Sequence, residues 1–462
     1  MIPGPSDCGP FRTMPQHHDQ HWIRSVTELG DRHAIIAQRD IHAEGGMKLV
    51  ARGARVHSGM RERLLQHKLL IGLEHAARIE NAVGPAQIRR ATAQLRDADP
   101  VMGAILAGAA RQLAPLELLL EVPVPNAIAF KLTVAREQRP ALFTHSVVTA
   151  AISLFLAVET GWNRPAVVRT VTAALAHDIG ELHLDPKMFR SDHRFDDSER
   201  RALHSHPLAA SLILKDLPDL HPAVRRAILE HHERLDGSGY PHGLSGAAIS
   251  PIGRLLAVAE VTASRFDEDG LCRDPQSMGT LLKLNSHKLD PRFAGLLAPV
   301  YRRPLPAVID EELVEPVDLG RRLRAVAELF QQWEEATAAQ AGRDAAALEG
   351  EVFDFITEQV WALRTQLLDA GFNPREPDTV LELVAEDAAF LGEVADLLDE
   401  ALWQLDSLAR EVVRRWPEVL SQLGSECPLL RWLGRAREAR SQAGSASVET
   451  DLALEDLNGP AA

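Results

Sequence analysis

Cysteine is scarce in this chain. Cys8, Cys272 and Cys427 lie far apart and form no CxxC pair. That excludes a disulfide framework and a cysteine-built metal site, and it points to a reducing compartment. An excess of positive charge is missing too. Lys and Arg number 50 against 65 Asp and Glu, a net charge of −15 with a pI near 5.7, which argues against a general binder of nucleic acid or membrane surfaces. One anionic small molecule stays compatible with this balance, because a bound metal reverses the field locally. No apolar h-region occurs in the first twenty residues, so no signal peptide is expected. The most apolar segment, Val147 to Val158, reads as short of the roughly 20 residues a bilayer span needs. These absences together imply a soluble cytoplasmic protein with no DNA, RNA or membrane partner.

What is present is ordinary globular composition, 45% hydrophobic and 25% charged, in a chain of 462 residues, enough for two or three domains. The pattern is mainly α. Residues 1–30, with His17, His18 and His21, read as a disordered arm. Residues 31–135 read as a small α+β and helical module. Its strand-like stretch runs from Ala34 to Arg55 with turns at Gly45-Gly46 and Gly53. Helical spacing then starts at Met60 and continues through Leu64, Leu65, Leu69 and Leu70, and further helices break at Pro115, Pro123 and Pro125.

Residues 136–305 are expected to be helix after helix, bounded by Arg303-Pro304-Leu305-Pro306. Residues 318–440 carry long amphipathic helices and no histidine. Thr379 and Glu382 form a capping box just after Pro377. Beyond it Leu391, Val394, Leu398, Ala401, Leu405, Leu408 and Val412 alternate at three and four residues, a seam for an intramolecular bundle or for a homodimer or partner protein. Residues 441–462 read as a disordered tail. No internal repeat occurs.

The chemistry sits in the middle. His145, His177-Asp178, His206, His231-His232 and Glu260 each fall in or at the end of an expected helix, and Asp236 lies in a glycine-rich loop. His177-Asp178 ends the helix 165–176, with Gly180 beyond it for a turn. His206 falls in a helix started by Asp196 and Glu199, and His231-His232 ends the helix 223–230. Ligands at helix ends converge without long flexible side chains. Imidazole with carboxylate suits Fe, Mn, Zn, Co or Ni rather than Ca or Mg. Asp178 is the natural bridge between two ions. A single histidine on an amphipathic helix is more often a packed or surface residue, as His183, His193, His204, His221, His242 and His287 are read to be.

His177-Asp178-Ile179-Gly180 and the stretch from His231-His232-Glu233 through Asp236-Gly237-Ser238-Gly239-Tyr240-Pro241 resemble the HD-GYP family of bacterial metal-dependent phosphohydrolases. His145-Ser146, His206-Pro207, Ile249 and the segment from Arg254 to Ala259 match further positions, so the likeness covers residues 140–300. The resemblance implies an all-helical domain and a phosphodiesterase that opens cyclic di-GMP to pGpG or GMP through a water activated by two metals. The ions would be divalent, Fe or Mn. One would take His145, His177, Asp178 and Glu260; the other would share Asp178 and take His206, His231 and His232. Asp236, Gly237, Gly239, Tyr240 and Pro241, with Arg254 and Arg265, would hold substrate, and Tyr240 would offer a ring face and a hydroxyl.

Departures accompany the matches. Glu181 stands where the family has a lysine, and Glu260 where it has Asp. Ala141 stands where members with three metals carry Glu. Residues 267–269 are acidic where the family is basic. Glu181 would either face the substrate phosphates and slow hydrolysis or turn to an ion as a ligand. The alternative function is a catalytically degenerate domain that binds a nucleotide or a protein as a signalling module.

Overall fold

The structure, a computed structural model, describes residues 18–109, 115–190, 193, 195–272, 275–301, 316–340, 347–370, 372–377, 388–424 and 427–442. Proline at a first turn, where no backbone N–H is missed, opens many of the helices. Packing divides the chain into two units, Met1–His231 with Ser250–Leu271 and His232–Ile249 with Cys272–Ala462.

The first unit starts on a helix where an arm was expected. α1 (His18–Arg32) buries Trp22, Ile23, Val26 and Leu29, spaced to share one face. Residues 1–17, with His17, lie outside the described residues. β1 (Ile35–Ala37) pairs antiparallel with β4 (Ala77–Ile79), Ile35 opposite Ile79, and β2 (Ile41–His42) pairs with β3 (Lys48–Val50). Gly46 and Gly53 take φ +81° and +82°, which a side chain would resist. The helical spacing after Met60 yields only the short α2 (Arg61–Leu65) and α3 (Leu73–Ala76). Leu69 instead bridges to Ala43 and Leu70 is exposed, so local spacing loses here to strand contacts. The small α+β unit therefore forms, with less helix than its apolar spacing promised.

Helices follow: α4 (Pro85–Ala98), α5 (Pro100–Ala109), α6 (Pro115–Leu118) and α7 (Asn126–Gln138), then α8 (Pro140–Glu159), α9 (Arg164–Ala176), α10 (Asp197–Leu203), α11 (His206–Ile213), α12 (Pro222–Glu230) and α13 (Pro251–Ala263). One apolar cluster runs from Trp22 and the strands into Phe130, Val134, Leu142 and Leu182, so packing is continuous across position 135. α8 spans 20 residues and is long and apolar enough to cross a membrane by length and composition, which overturns the shortness expected of it. Its most apolar window is 78% buried, and it packs on α9 and α13.

The second unit contains α14 (Pro275–Leu284), α15 (Pro291–Tyr301), α16 (Pro316–Gln340), α17 (Ala347–Asp369), α18 (Ala388–Arg415), α19 (Pro417–Gln422) and α20 (Pro428–Gln442). Val394, Leu398, Ala401, Leu405, Leu408 and Val412 of α18 are all buried in one core with Trp333 and Trp432. The three-four seam is thus filled by this chain's own helices. The Arg303–Pro306 boundary, the Thr379 cap, the side chain of Leu391 and residues 443–462 lie outside the described residues.

Candidate metal centre

Local sequence places His177 and His231 just past helix ends, whereas His145 and Glu260 lie inside α8 and α13. Asn163 caps α9 by accepting the N–H of Ala166, with Pro165 in the first turn, and α9 stops at Ala176, leaving His177 next in line. His221 caps α12 ahead of Pro222, and that helix ends at Glu230, before His231. Asp196 and Glu199 form the expected capping box of α10. That helix stops at Leu203, however, and His206 opens α11 instead of continuing α10, because Pro207 suits a first turn.

The three histidines share one arrangement. Nδ1 of His177 lies 2.6 Å from the Ala174 carbonyl, that of His206 2.7 Å from Leu203, and that of His231 2.6 Å from Ile228. A carbonyl only accepts, so each Nδ1 carries the proton, and in the neutral ring each Nε2 turns a lone pair inward. Gly180 lets the 3-10 turn Ile179–His183 approach α11: a Cβ there would lie 2.2 Å from the His206 carbonyl oxygen. Close approach, rather than the sharp turn expected of it, is what this glycine supplies.

Asp178 stands between two groups. Its Oδ2 is 2.7 Å from His177 Nε2 and 3.5 Å from His145 Nε2; its Oδ1 is 3.1 Å from His206 Nε2 and 3.5 Å from His231 Nε2. Glu260 closes the first group, 3.0 Å from His145 and 2.9 Å from His177. His145, with its side chain 24% exposed, is the open edge, while His177, Asp178, His206, His231 and Glu260 are buried.

Burial pushes His177 down, but Asp178 and Glu260 beside it win and hold the ring well above the ordinary histidine range. Burial raises Asp178, and the charge of His177, helped by the His206 and His231 rings close by, outweighs it and leaves the carboxyl well below its usual range. His231, desolvated beside His177, falls to about 4. His177 Nε2 and Asp178 Oδ1 are buried and make no well-directed hydrogen bond in spite of these short distances. Lone pairs and carboxylate oxygens facing one another in this way fit a divalent cation better than they fit each other.

The glycine-rich loop belongs to the second unit and opens with His232, the residue after His231. Gly237 takes φ +82°. A Cβ on Gly239 would meet the His232 carbonyl oxygen at 2.3 Å, so only glycine packs there. Glu233, fully buried, accepts the N–H groups of His242 and Leu244 and pins the loop. Tyr240 is 2% exposed and stacks on His232 at 4.6 Å. Its ring braces that histidine and lacks the open face expected of it. Asp236 Oδ1 accepts from Ser238, and its Oδ2 lies 3.6 Å from His287. With Gly237 it lines a cavity of about 130 Å³ walled by α17 and α18 residues, among them Phe355 and Leu405.

A family model described as HD domain matches residues 131–293. The cyclic di-GMP phosphodiesterase PA4108 of Pseudomonas aeruginosa is 33% identical over 119 residues, 26% of this chain and 29% of that protein. The 3'3'-cGAMP-specific phosphodiesterase 1 of Vibrio cholerae is 35% identical over 26% of this chain and 27% of its own length. The cyclic di-GMP phosphodiesterase PdeB of Borreliella burgdorferi is 30% identical over 33% of this chain and 41% of its own. The central segment belongs to the HD-GYP family. Similarity thus spans well under half the length of these relatives.

Within the HD-GYP segment, two supporting residues escaped the sequence reading. Glu230, buried, bonds Arg226 at 2.6 Å and takes the Ser250 N–H at 2.8 Å, tying the helix before His231 to the start of α13, which carries Glu260. Arg139 ion-pairs with Glu181 at 3.0 Å. Neither position stands in a motif, so no spacing could have flagged them. Arg254 lies six residues before Glu260 on α13 and Arg265 just past its end, both half-buried. Asp267 turns its carboxylate onto the N–H groups of Asp269 and Leu271, capping its own turn.

Proposed function

We propose that the HD-GYP segment is a metal-dependent phosphodiesterase acting on a cyclic dinucleotide, cyclic di-GMP or a close relative. The two-sided use of Asp178 carries this reading: one oxygen toward His145 and His177, the other toward His206 and His231. Two divalent ions, Fe or Mn, would be held by His145, His177, Asp178 and Glu260, and by Asp178, His206, His231 and His232. When bound, such ions polarise phosphoryl oxygens and lower the pKa of water. The chain's own part is positional. The carbonyl-bonded Nδ1 groups fix the rings, burial keeps water from the inner group, and the exposed edge at His145 gives the substrate its approach. Asp236, Gly237, Gly239, Pro241, Arg254 and Arg265 would shape the substrate side. The names of the relatives, phosphodiesterases for cyclic di-GMP or 3'3'-cGAMP, support this substrate class. The C-terminal bundle, residues 318–440, would be a separate module.

A second reading is nucleotide or protein binding without turnover, favoured by the Arg139–Glu181 pair, which spends a guanidinium on the chain's own carboxylate. One experiment separates the two. Full-length protein is purified anaerobically without chelator, its metal content measured, and cyclic di-GMP and 3'3'-cGAMP supplied as substrates. Two ions and a linear product support the first reading. Two ions and bound, unaltered nucleotide support the second. One ion or none sinks the two-metal assignment.

A further inference from the structure

Arg139 is the N-cap residue of α8, six residues before His145 on the same helix. Its guanidinium is mostly buried and spans two acceptors of one residue. Nη1 donates to the Glu181 backbone oxygen at 3.0 Å, and Nη2 to Glu181 Oε2 at 3.0 Å. Arg139 Cζ lies 3.7 Å from the Phe189 ring centroid, and that contact limits its swing. Glu181 in turn gives its backbone N–H to the Asp178 carbonyl at 2.9 Å, closing the turn on which Asp178 stands. One side chain therefore joins the helix that carries His145 to the turn that carries the carboxylate facing both histidine groups.

We propose that Arg139 is a positioning residue for the metal centre: it fixes the 178–181 turn against α8 and so holds Asp178 and His145 in register. This inference rests on the reading of the histidine groups as a metal centre but not on any substrate. The backbone bond is the part that matters, because it fixes main chain three residues from Asp178, whereas the carboxylate bond chiefly keeps the guanidinium aimed. A lysine at 139 would offer its donors from a single nitrogen and so meet both acceptors less well than the planar fork does. Residues that orient a metal ligand through hydrogen bonds typically change affinity by about 10–100-fold when removed.

The test is Mn²⁺ titration of the metal-stripped full-length chain, followed by electron paramagnetic resonance of free Mn²⁺, with circular dichroism to confirm folding. Arg139→Ala is expected to weaken Mn²⁺ binding by at least about tenfold, Arg139→Lys to recover only part of that, and Glu181→Gln to lose a few-fold at most. Asp196→Ala is the control. It removes a helix cap and lowers the melting midpoint, yet it should leave Mn²⁺ affinity unchanged, which separates positioning from mere destabilisation. If Arg139→Ala does not fold, Arg139→Lys and Glu181→Gln decide, and wild-type affinity in both overturns the inference. Wild-type affinity in Arg139→Ala overturns it directly, as does an equal loss in the Asp196→Ala control. A wild-type chain that binds Mn²⁺ but opens no cyclic dinucleotide would refute the phosphodiesterase reading and leave this test intact.

Discussion

The histidine centre and the C-terminal bundle bury opposite kinds of chemistry. In the first, His177, Asp178, His206, His231 and Glu260 are taken out of water together, and His177 and Asp178 keep polar atoms with no well-directed partner. In the second, leucine, valine and tryptophan fill the seam of α18, with Trp333 and Trp432 at 4.9 Å; the Trp432 indole N–H is satisfied by the Leu329 carbonyl, while Trp333 Nε1 and Glu400 Oε2 are buried without a partner. Unpartnered buried polar groups cost stability, and apolar burial supplies it. The apolar seam holds its helices together, whereas ionisable groups taken out of water side by side call for a reason other than stability.

That contrast can be broken by experiment, and the largest effect should come from Asp178→Ala. Losing the carboxylate that faces both groups should leave no ion in elemental analysis and no hydrolysis. A variant that keeps one ion would show that each histidine group stands alone. Next, Leu398→Glu combined with Leu405→Glu puts two carboxylates into a seam whose leucines are 0% and 1% exposed. Each should cost at least about 3 kcal/mol in a urea melt. An unchanged midpoint would mean that the seam is not a core. Gly180→Ala comes third, because its Cβ cannot sit 2.2 Å from the His206 carbonyl oxygen. About 1–3 kcal/mol of strain is expected, together with weaker metal binding, as the turn is pushed off α11. The smallest effect belongs to Asp196→Ala, about 1 kcal/mol for a lost capping box, read as a drop of a few degrees in melting midpoint with metal content intact.

The two regions also differed in how they could be read. The bundle was legible from periodicity, since a three-four alternation of apolar residues admits few uses other than a buried seam. Whether the partner was this chain or another was a question of tertiary contact, and α18 packs with the chain's own Trp333 and Trp432. The histidines and carboxylates that cluster were legible from short motifs, some at helix ends and some within helices. His206 reaches the expected cluster from α11 and not from the helix that Asp196 caps, because a capping box announces where a helix starts and says nothing of its length. Tyr240 was misread for a related reason. A tyrosine in a loop looks accessible in sequence, and only packing puts its ring on His232.

By itself, then, the sequence determined which groups can ligate, where several of the helices that present them begin, and which glycines the loop needs. Those properties are local, set by caps, prolines, backbone angles and the donor atoms each residue owns. Only the tertiary structure decided that His145 meets Glu260 across 115 positions, that Asp178 turns one oxygen to each histidine group, and that the anomalous Glu181 is answered by Arg139. Such pairings depend on how distant helices pack, and no periodicity or short motif encodes the distance between two side chains that far apart in the chain.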